Sequence, residues 1–499
     1  MTPRHQSRVA AIDLGSNSFH LIVARAGDGQ LHILDRMRER VLLAVGLDAK
    51  GNLSAAAQER ALRALRLFGQ RVAHMPEESV RVVGTNTLRR ARNAKPFLRR
   101  AHKVLGHPIE VISGREEARL IYLGVAHSVA ETQGRRLVID IGGGSTECVI
   151  GKHFEPLAAD SLYMGCVSYS LGFFPGGRIR HEHLERAEIA ARLEFETLAS
   201  RYSAMKWKEC LGSSGTILAT EQVLRVNNWS DRGITREALQ KLRKALIQVG
   251  NVDALAQMRG IPADRASVYP GGFAILNAAF EAFGISRMMT ATGALREGLI
   301  YDLLGRFGHE DVRDATVHQF AERYGVDFEQ AARVERTALE FLRAAAEEWD
   351  LQRSTSRQYL SWASRLAEVG LSISYNGYHK HSAYIVSNAD MPGFSREGQT
   401  FLAALIRGHR RKVADAMFRD VTEEQQRDAK CLCVLLRLAT RLHRGRRARA
   451  VPRIRLIVAK HRIDLHFPRG WLAQHPLTRA DLGNEANRLQ PLGIELSAS

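Results

Sequence analysis

The feature that most constrains this chain is a short segment written twice. Residues Ala11–Ser18 read AIDLGSNS, and residues Val138–Thr146 read VIDIGGGST. Aligning Asp13 on Asp140 pairs Ile12 with Ile139, Leu14 with Ile141, Gly15 with Gly142 and Ser18 with Ser145, with no break in register. Each copy is a hydrophobic strand, an aspartate, and a turn of glycine and small polar residues. Such a turn lets backbone N–H groups approach an anion closely, because no side chain blocks the way. The aspartate adds a carboxylate beside it, which suits a hard cation such as Mg²⁺ that takes one or two protein carboxylates plus water and phosphate oxygens. The repeat predicts an α/β body in two similar halves, with the turns facing each other across a cleft that holds phosphate.

The texture of the chain agrees with that. From Arg8 to about Gly305, β-rich runs such as HLIVA, VRVVGT, IEVIS and RLVIDI alternate with helical patterns. Ser54–Val72 reads as one such helix, with Ser54 as its N-cap. Asp311 to about Leu442 is almost entirely helical in pattern, and the tail returns to strands at RIRLIVA and RIDLHF. A length of 499 residues at 45% hydrophobic is enough for several cores. The expected divisions are 1–121, 122–305, 306–445 and 446–499. The five cysteines show no zinc or disulfide spacing, so reduced thiols are expected. No run reaches the ~20 apolar residues of a membrane span, and neither export nor insertion is expected.

A net charge of +19 concentrates anions at the surface. Seven basic residues and no acid lie between Arg89 and Lys103; eleven lie between Arg441 and Arg479, with Asp464 the only acid. Both clusters are candidates for tracking a polyanion, Arg444, Arg446, Arg447 and Arg449 among them. A non-catalytic nucleic-acid binder would also use such charge, but RNA-binding aromatic signatures are absent. No P-loop and no H-E-x-x-H run occurs. CLGSSGTI (Cys210–Ile217) and ATGALREG (Ala291–Gly298) are further strand, glycine turn and helix units.

In ISGREEARLIYLGV, Ile112–Val125, Ser113 and Glu116 have the spacing of a capping box opening a helix after IEVI. Glu116 serves the cap. Glu117, in the first turn, is not needed for it, and the helix dipole keeps it ionised and able to take a proton from water. Glu147, directly after GGGST, is the other candidate carboxylate.

At these residues the sequence resembles the exopolyphosphatase and guanosine pentaphosphate phosphatase family. The likeness rests on AAIDLGSNSFHLIVAR, VVGTNTLRRARNA, SGREEARLIYLGV, VIDIGGGSTE, MGCVSY, GSSGT and GALREG, in that order. It implies a duplicated two-domain body of the actin-like (ASKHA) superfold, a C-terminal all-α HD-like domain and a small α+β tail. It implies Glu117 as general base, Glu147 as a second essential carboxylate, and Asp140 with Glu147 as contacts to Mg²⁺, with K⁺ as a further candidate cation. Phosphate is expected at Asp13, Gly15, Ser16, Asn17, Ser18 and Arg89, and at Gly142, Gly143, Gly144, Ser145 and Thr146. GGGST, VGTNTLR and HKHSAYI resemble the exopolyphosphatase branch more than the pentaphosphatase branch, which tends to GGAST and VATATLR. The expected activity is therefore processive release of orthophosphate from inorganic polyphosphate, with 5′-phosphohydrolysis of pppGpp as the alternative. A homodimer is expected, cytoplasmic or peripheral at the inner face of the membrane, with no need for nucleic acid. In the helical segment Ala367 and Glu368 stand where relatives often read His-Glu, and Tyr375 replaces another histidine. His379, His381 and His409 are therefore expected to be structural or phosphate-facing.

Overall fold

The computed structural model describes residues 8–27, 30–129, 134–307, 311–351, 354–446 and 451–499. Four divisions were expected; by internal contacts the chain forms two compact units, 1–311 and 312–499.

The first unit is built on two mixed sheets. One runs β3-β2-β1-β4-β5, with β1 Arg8–Leu14, β2 Ser18–Gly27, β3 Gln30–Arg40, β4 Val80–Gly84 and β5 Glu110–Val111. The other has β6 Arg135–Ile141, β7 Thr146–Lys152, β8 Glu155–Leu162, β9 Glu209–Ser213, β10 Ile234–Thr235 and β11 Arg287–Thr290, and runs β10-β11-β9-β6-β7-β8. In each, an antiparallel meander of three strands joins a parallel set through its first strand: β1 pairs β2 antiparallel and β4 parallel, and β6 pairs β7 antiparallel and β9 parallel. The doubled motif in the sequence is thus a doubled topology.

Strand periodicity explains why these first strands are hydrophobic on both sides. On β1, Ala10, Ile12 and Leu14 pack into an outer core with Phe19, Leu65 and Phe97, while Val9 and Ala11 face the other way. On β6, Leu137, Ile139 and Ile141 enter a second outer core, and Val138 faces the other way. Val9, Ala11, Val138 and Val149 meet in one shared inner core with Ile121 and Val125 of the helix Gly114–Ser128 and Leu299 and Ile300 of the helix Leu295–Phe307. These two helices cross very closely. A Cβ at Gly124 would overlap the Ala294 carbonyl, and one at Gly298 would overlap the Leu120 carbonyl.

Beside that crossing lies a buried ionic network. Arg119 donates two 2.8 Å hydrogen bonds to Glu116, and Arg81 and Arg119 both reach Asp302. Arg81 also lies 3.7 Å from Glu116. Ser113 Oγ accepts the Glu116 N–H, as the cap predicts. The Glu116 carboxylate, however, serves this network, so its task is larger than the capping role expected of it.

In the second unit, helices pack around one core that also takes in Leu456, Ile463, Leu465, Leu482, Leu489 and Ile494 of the tail. The tail sheet is β12 Arg455–Ala459, β13 Arg462–His466 and β14 Glu495–Ala498. A fully buried pair, Arg437 with Glu485, joins the helix Gln426–Leu442 to the helix Pro476–Leu489. The segment 446–499 therefore shares its hydrophobic interior with the helices instead of enclosing one of its own, which its texture alone could not reveal. Among the described residues all five cysteines are free, and no helix is long and apolar enough to cross a membrane.

The helix crossing generates a test. Overpacking a close contact typically costs 1–3 kcal/mol, and here the obstacle is backbone. Gly298→Ala should destabilise the protein by about 3 kcal/mol, read by urea denaturation; an unchanged midpoint would show that the crossing can spread without penalty.

Candidate active site

The two repeated turns connect β1 to β2 and β6 to β7, so each aspartate stands at a strand end beside its turn. The turns abut. A Cβ at Gly143 would lie 3.1 Å from Ser16 Cβ and 3.3 Å from Asn17 N, and one at Gly144 would lie 2.7 Å from Asn86 Oδ1. Glycine is needed here first because the two halves touch, a reason the sequence did not disclose. Thr87 Oγ1 donates to Ser16 Oγ at 2.8 Å, and Thr146 Oγ1 donates to the Met164 carbonyl at 2.7 Å.

Acidic groups converge on this contact. Asp140 and Glu147 are direct cross-strand partners of β6 and β7, and both are buried. Glu147 accepts a 2.7 Å hydrogen bond from Ser161. Glu117 is buried and paired with Arg89 at 2.7 Å; Arg89 also donates to the Ile112 carbonyl at 3.0 Å. Burial, and then the Glu117 charge, push the Asp13 carboxyl up to about 8, with Arg296 opposing and Asp140 and Glu297 adding. Burial pushes Asp140 up to about 6, against a hydrogen bond from Ser213. Burial, Glu117 and Asp140 together raise Glu147 well above the carboxylate range. These groups crowd one another as anions, and a cation between them would relieve it. Among the described residues no three His, Cys, Asp or Glu side chains converge into a complete metal cage. Asp140 and Glu147 could hold a hard divalent ion that completes its shell with water and phosphate oxygens.

Buried polar atoms without a partner gather at the same place. Of the ten among the described residues, Asp13 Oδ1, Asn17 Oδ1, Ser18 Oγ, Asn86 Nδ2 and Ser214 Oγ belong to the turns or the segments beside them. Unsatisfied buried groups are rare in native proteins, and a cluster of them at two glycine-rich turns marks where a ligand would bond.

With this geometry in hand, likeness to known proteins is decisive. The profile of the Ppx/GppA phosphatase family matches residues 22–307, and that of Ppx/GppA phosphatase, domain III, matches residues 312–486. The chain belongs to the Ppx/GppA phosphatase family. It is 42% identical to a guanosine-5′-triphosphate,3′-diphosphate pyrophosphatase of Aeromonas hydrophila, over 97% of both chains. It is 41% identical to the protein of that name from Aeromonas salmonicida, again over 97% of each. Among solved structures, the Aquifex aeolicus Ppx/GppA family member superimposes with a TM-score of 0.52 at 27% identity, covering 61% of this chain and 99% of that one. An exopolyphosphatase from Cytophaga hutchinsonii shares the fold, with a TM-score of 0.55 at 24% identity over 60% and 98% of the two chains.

As a member of this phosphatase family the chain is a hydrolase, and the doubled turns, Glu117, Asp140 and Glu147 are brought together as expected. The basic residues are partly engaged elsewhere. On the helix Ala94–Leu105, Ala94, Phe97, Ala101 and Leu105 are buried while Lys95, Arg99, Arg100 and Lys103 face outward; of that cluster, Arg89 is the residue seen on the site carboxylates. Arg441 pairs with Glu485, Arg444 with Asp481, and Arg446 with Glu368 and Asp327. Arg447 and Arg449 lie outside the described residues. Counting charge along the sequence overlooked acids brought in from distant segments. In the second unit His379 and His409 are buried against Tyr378. Burial first lowers both: His379 to about 4, with Arg407 and Arg410 adding, and His409 to about 3, against its bond to the Ile406 carbonyl and with His379 and Arg437 adding, so both are neutral at pH 7.

The sequence reading missed Arg296, Arg265, Asn86 and the serines 161, 213 and 214. Arg296 opens the helix Leu295–Phe307, bonds His20 Nδ1 at 2.8 Å and opposes the charge of Asp13 and Asp140. Arg265 packs over Gly215, at the start of the helix Gly215–Val226. Arg296 lies inside GALREG and Asn86 inside VGTNTLR, so the motifs carried the signal without the roles.

The raised Asp13 pKa predicts a pH effect. An acid with a folded value of about 8 against an ordinary 3.8 favours the fold while protonated, and that contribution is lost as pH rises through about 8. In metal-free buffer, Asp13→Asn should raise the melting temperature by several degrees at about pH 9 and much less at about pH 5. An equal shift at both would mean Asp13 ionises normally.

Proposed function

We propose that the protein hydrolyses the terminal phosphoanhydride at the 5′ end of pppGpp. The observation that carries the choice of substrate is the 41–42% identity over 97% of the chain to relatives named for that substrate. The motifs GGGST, VGTNTLR and HKHSAYI point instead to polyphosphate. The first two of these meet in space, because Gly144 touches Asn86. They are one coupled feature and not two independent signs. The pairing of Arg441, Arg444 and Arg446 with acids makes these three less free to hold a polymer.

In this reading the duplicated body is actin-like, and the helical segment is an HD-like domain without a metal centre of its own. The substrate's terminal phosphates lie between the turns, with Ser16, Asn17, Ser18, Ser145 and Thr146 and the turn amides around them. Glu117 takes a proton from the attacking water, and Arg89 holds that carboxylate in place while its remaining N–H groups face phosphate. The P–O bond to the departing β-phosphate breaks as the water oxygen bonds phosphorus, releasing orthophosphate. Mg²⁺ at Asp140 and Glu147 would supply charge neutralisation, and the burial and neighbouring Glu117 charge that raise both pKa values favour such an ion. K⁺, a homodimer and a cytoplasmic location belong to the same proposal.

Phosphate release from pppGpp and from long-chain polyphosphate, at matched concentrations of chain ends, tests the reading. We expect kcat/KM at least tenfold higher for pppGpp, and the opposite order would make the protein an exopolyphosphatase. Loss of a general base costs ~10²–10⁴ in rate, so Glu117→Gln should lose that much kcat with KM little changed. A variant within threefold of the parent would assign the base elsewhere. Chelation should abolish turnover, and Asp140→Asn should raise the Mg²⁺ concentration needed to restore it; an unchanged requirement would move the cation to other ligands.

A further inference from the structure

We propose that Asn86 donates a hydrogen bond from its side-chain amide to an oxygen of the phosphoryl group being transferred, and that position 144 is glycine to leave room for it. The inference rests on the cleft being the phosphoanhydride site and assigns a role there to a residue outside the expected set.

Asn86 is separated from the end of β4 by Thr85 alone and begins the short helix Asn86–Arg90, which serves the site from one side. Its neighbour Thr87 bonds Ser16, and Arg89 bonds Glu117. Asn86 itself is 2% exposed, and its Nδ2 is enclosed without a partner. An enclosed NH₂ group forfeits hydrogen bonds to water and gets none in return, which native structures rarely tolerate without a functional reason. Around it, Asp13 Oδ1 and Asn17 Oδ1 are likewise unpartnered. An amide oxygen such as Asn17 Oδ1 cannot donate to a phosphate oxygen, whereas an amide NH₂ can.

Gly144 ties the residue to the opposite turn. Any Cβ there would press on Asn86 at 2.7 Å from Oδ1 and 3.2 Å from Cγ, so an alanine forces the amide away. Position and chemistry agree with transition-state stabilisation: charge on a transferring phosphoryl group spreads over its equatorial oxygens, and fixed neutral donors aimed at them cost no reorganisation. The packing alternative makes Asn86 a spacer between the turns, in which case its N–H has no part in turnover.

A double-mutant cycle on the full chain separates these. Rates would be measured on pppGpp and on tripolyphosphate, together with melting temperatures. Asn86→Ala should lower kcat on both substrates by roughly tenfold to a hundredfold with KM within threefold, since loss of one such donor falls in or just below the 10²–10³ range. Gly144→Ala should lower kcat similarly by displacing the amide. The double variant should be no worse than Asn86→Ala, within twofold, because there is no longer a donor to displace. Asn86→Ser, a smaller change that keeps a donor, should recover part of kcat and serves if the alanine variant folds poorly. Asn86→Ala and Asn86→Ser within threefold of the parent, or losses that multiply in the double variant, would overturn the assignment of Asn86. A parent that turns over neither substrate would overturn the proposed function itself.

Discussion

The crossing of the helices Gly114–Ser128 and Leu295–Phe307 is the constraint on which the site depends. Both helices begin beside the site carboxylates. The first turn of one carries Glu117, and the first turn of the other carries Arg296. Where those side chains point follows from how the helices meet, and that is set by the glycine contacts at Gly124 and Gly298 and by the Arg81, Arg119, Glu116 and Asp302 network. Such buried ion pairs are weak evidence for net stability, because desolvation offsets their attraction, but losing one partner leaves a charge stranded in the interior. Their geometric effect is to hold one rotational setting of the two helices.

That setting has an electrostatic consequence. The halves bring Asp13, Asp140, Glu147 and Glu117 together around one contact, and the raised pKa values of the first three record their burial first and then repulsion from Glu117. Arg89 and Arg296 compensate from the two sides. The arrangement is costly in a folded protein without ligand, as are the unpartnered atoms beside it. In the proposed function, phosphate oxygens and a cation would lower both costs. Local strain of this kind concentrates where a protein must bind or react.

Much of this was legible in the sequence because the relevant physics is local. The repeated strand, aspartate and turn appear as such, the helix after Ser54 begins where its N-cap requires, and Ser113 caps the next site helix. Glu117, Asp140 and Glu147 could be chosen from their places beside a cap or a turn. Charge was less legible. Arg444 and Arg446 look like free basic groups until the fold brings Asp481, Asp327 and Glu368 to them. Glu116 looked like a cap residue because Arg81, one of its ionic partners, and Asp302, which shares its arginines, are remote in sequence.

The sequence by itself determined the two half-bodies, their turns and the residue types at each strand end, because strand periodicity, capping and turn chemistry act over a few residues. Only the tertiary structure decided that Gly143 and Gly144 are required by a contact with Ser16 and Asn86, that Arg296 reaches the carboxylates, and that the tail shares its core with the helices. Those outcomes depend on which distant surfaces close-pack and which charges share low-dielectric space. Neither property is carried by any single stretch of the chain.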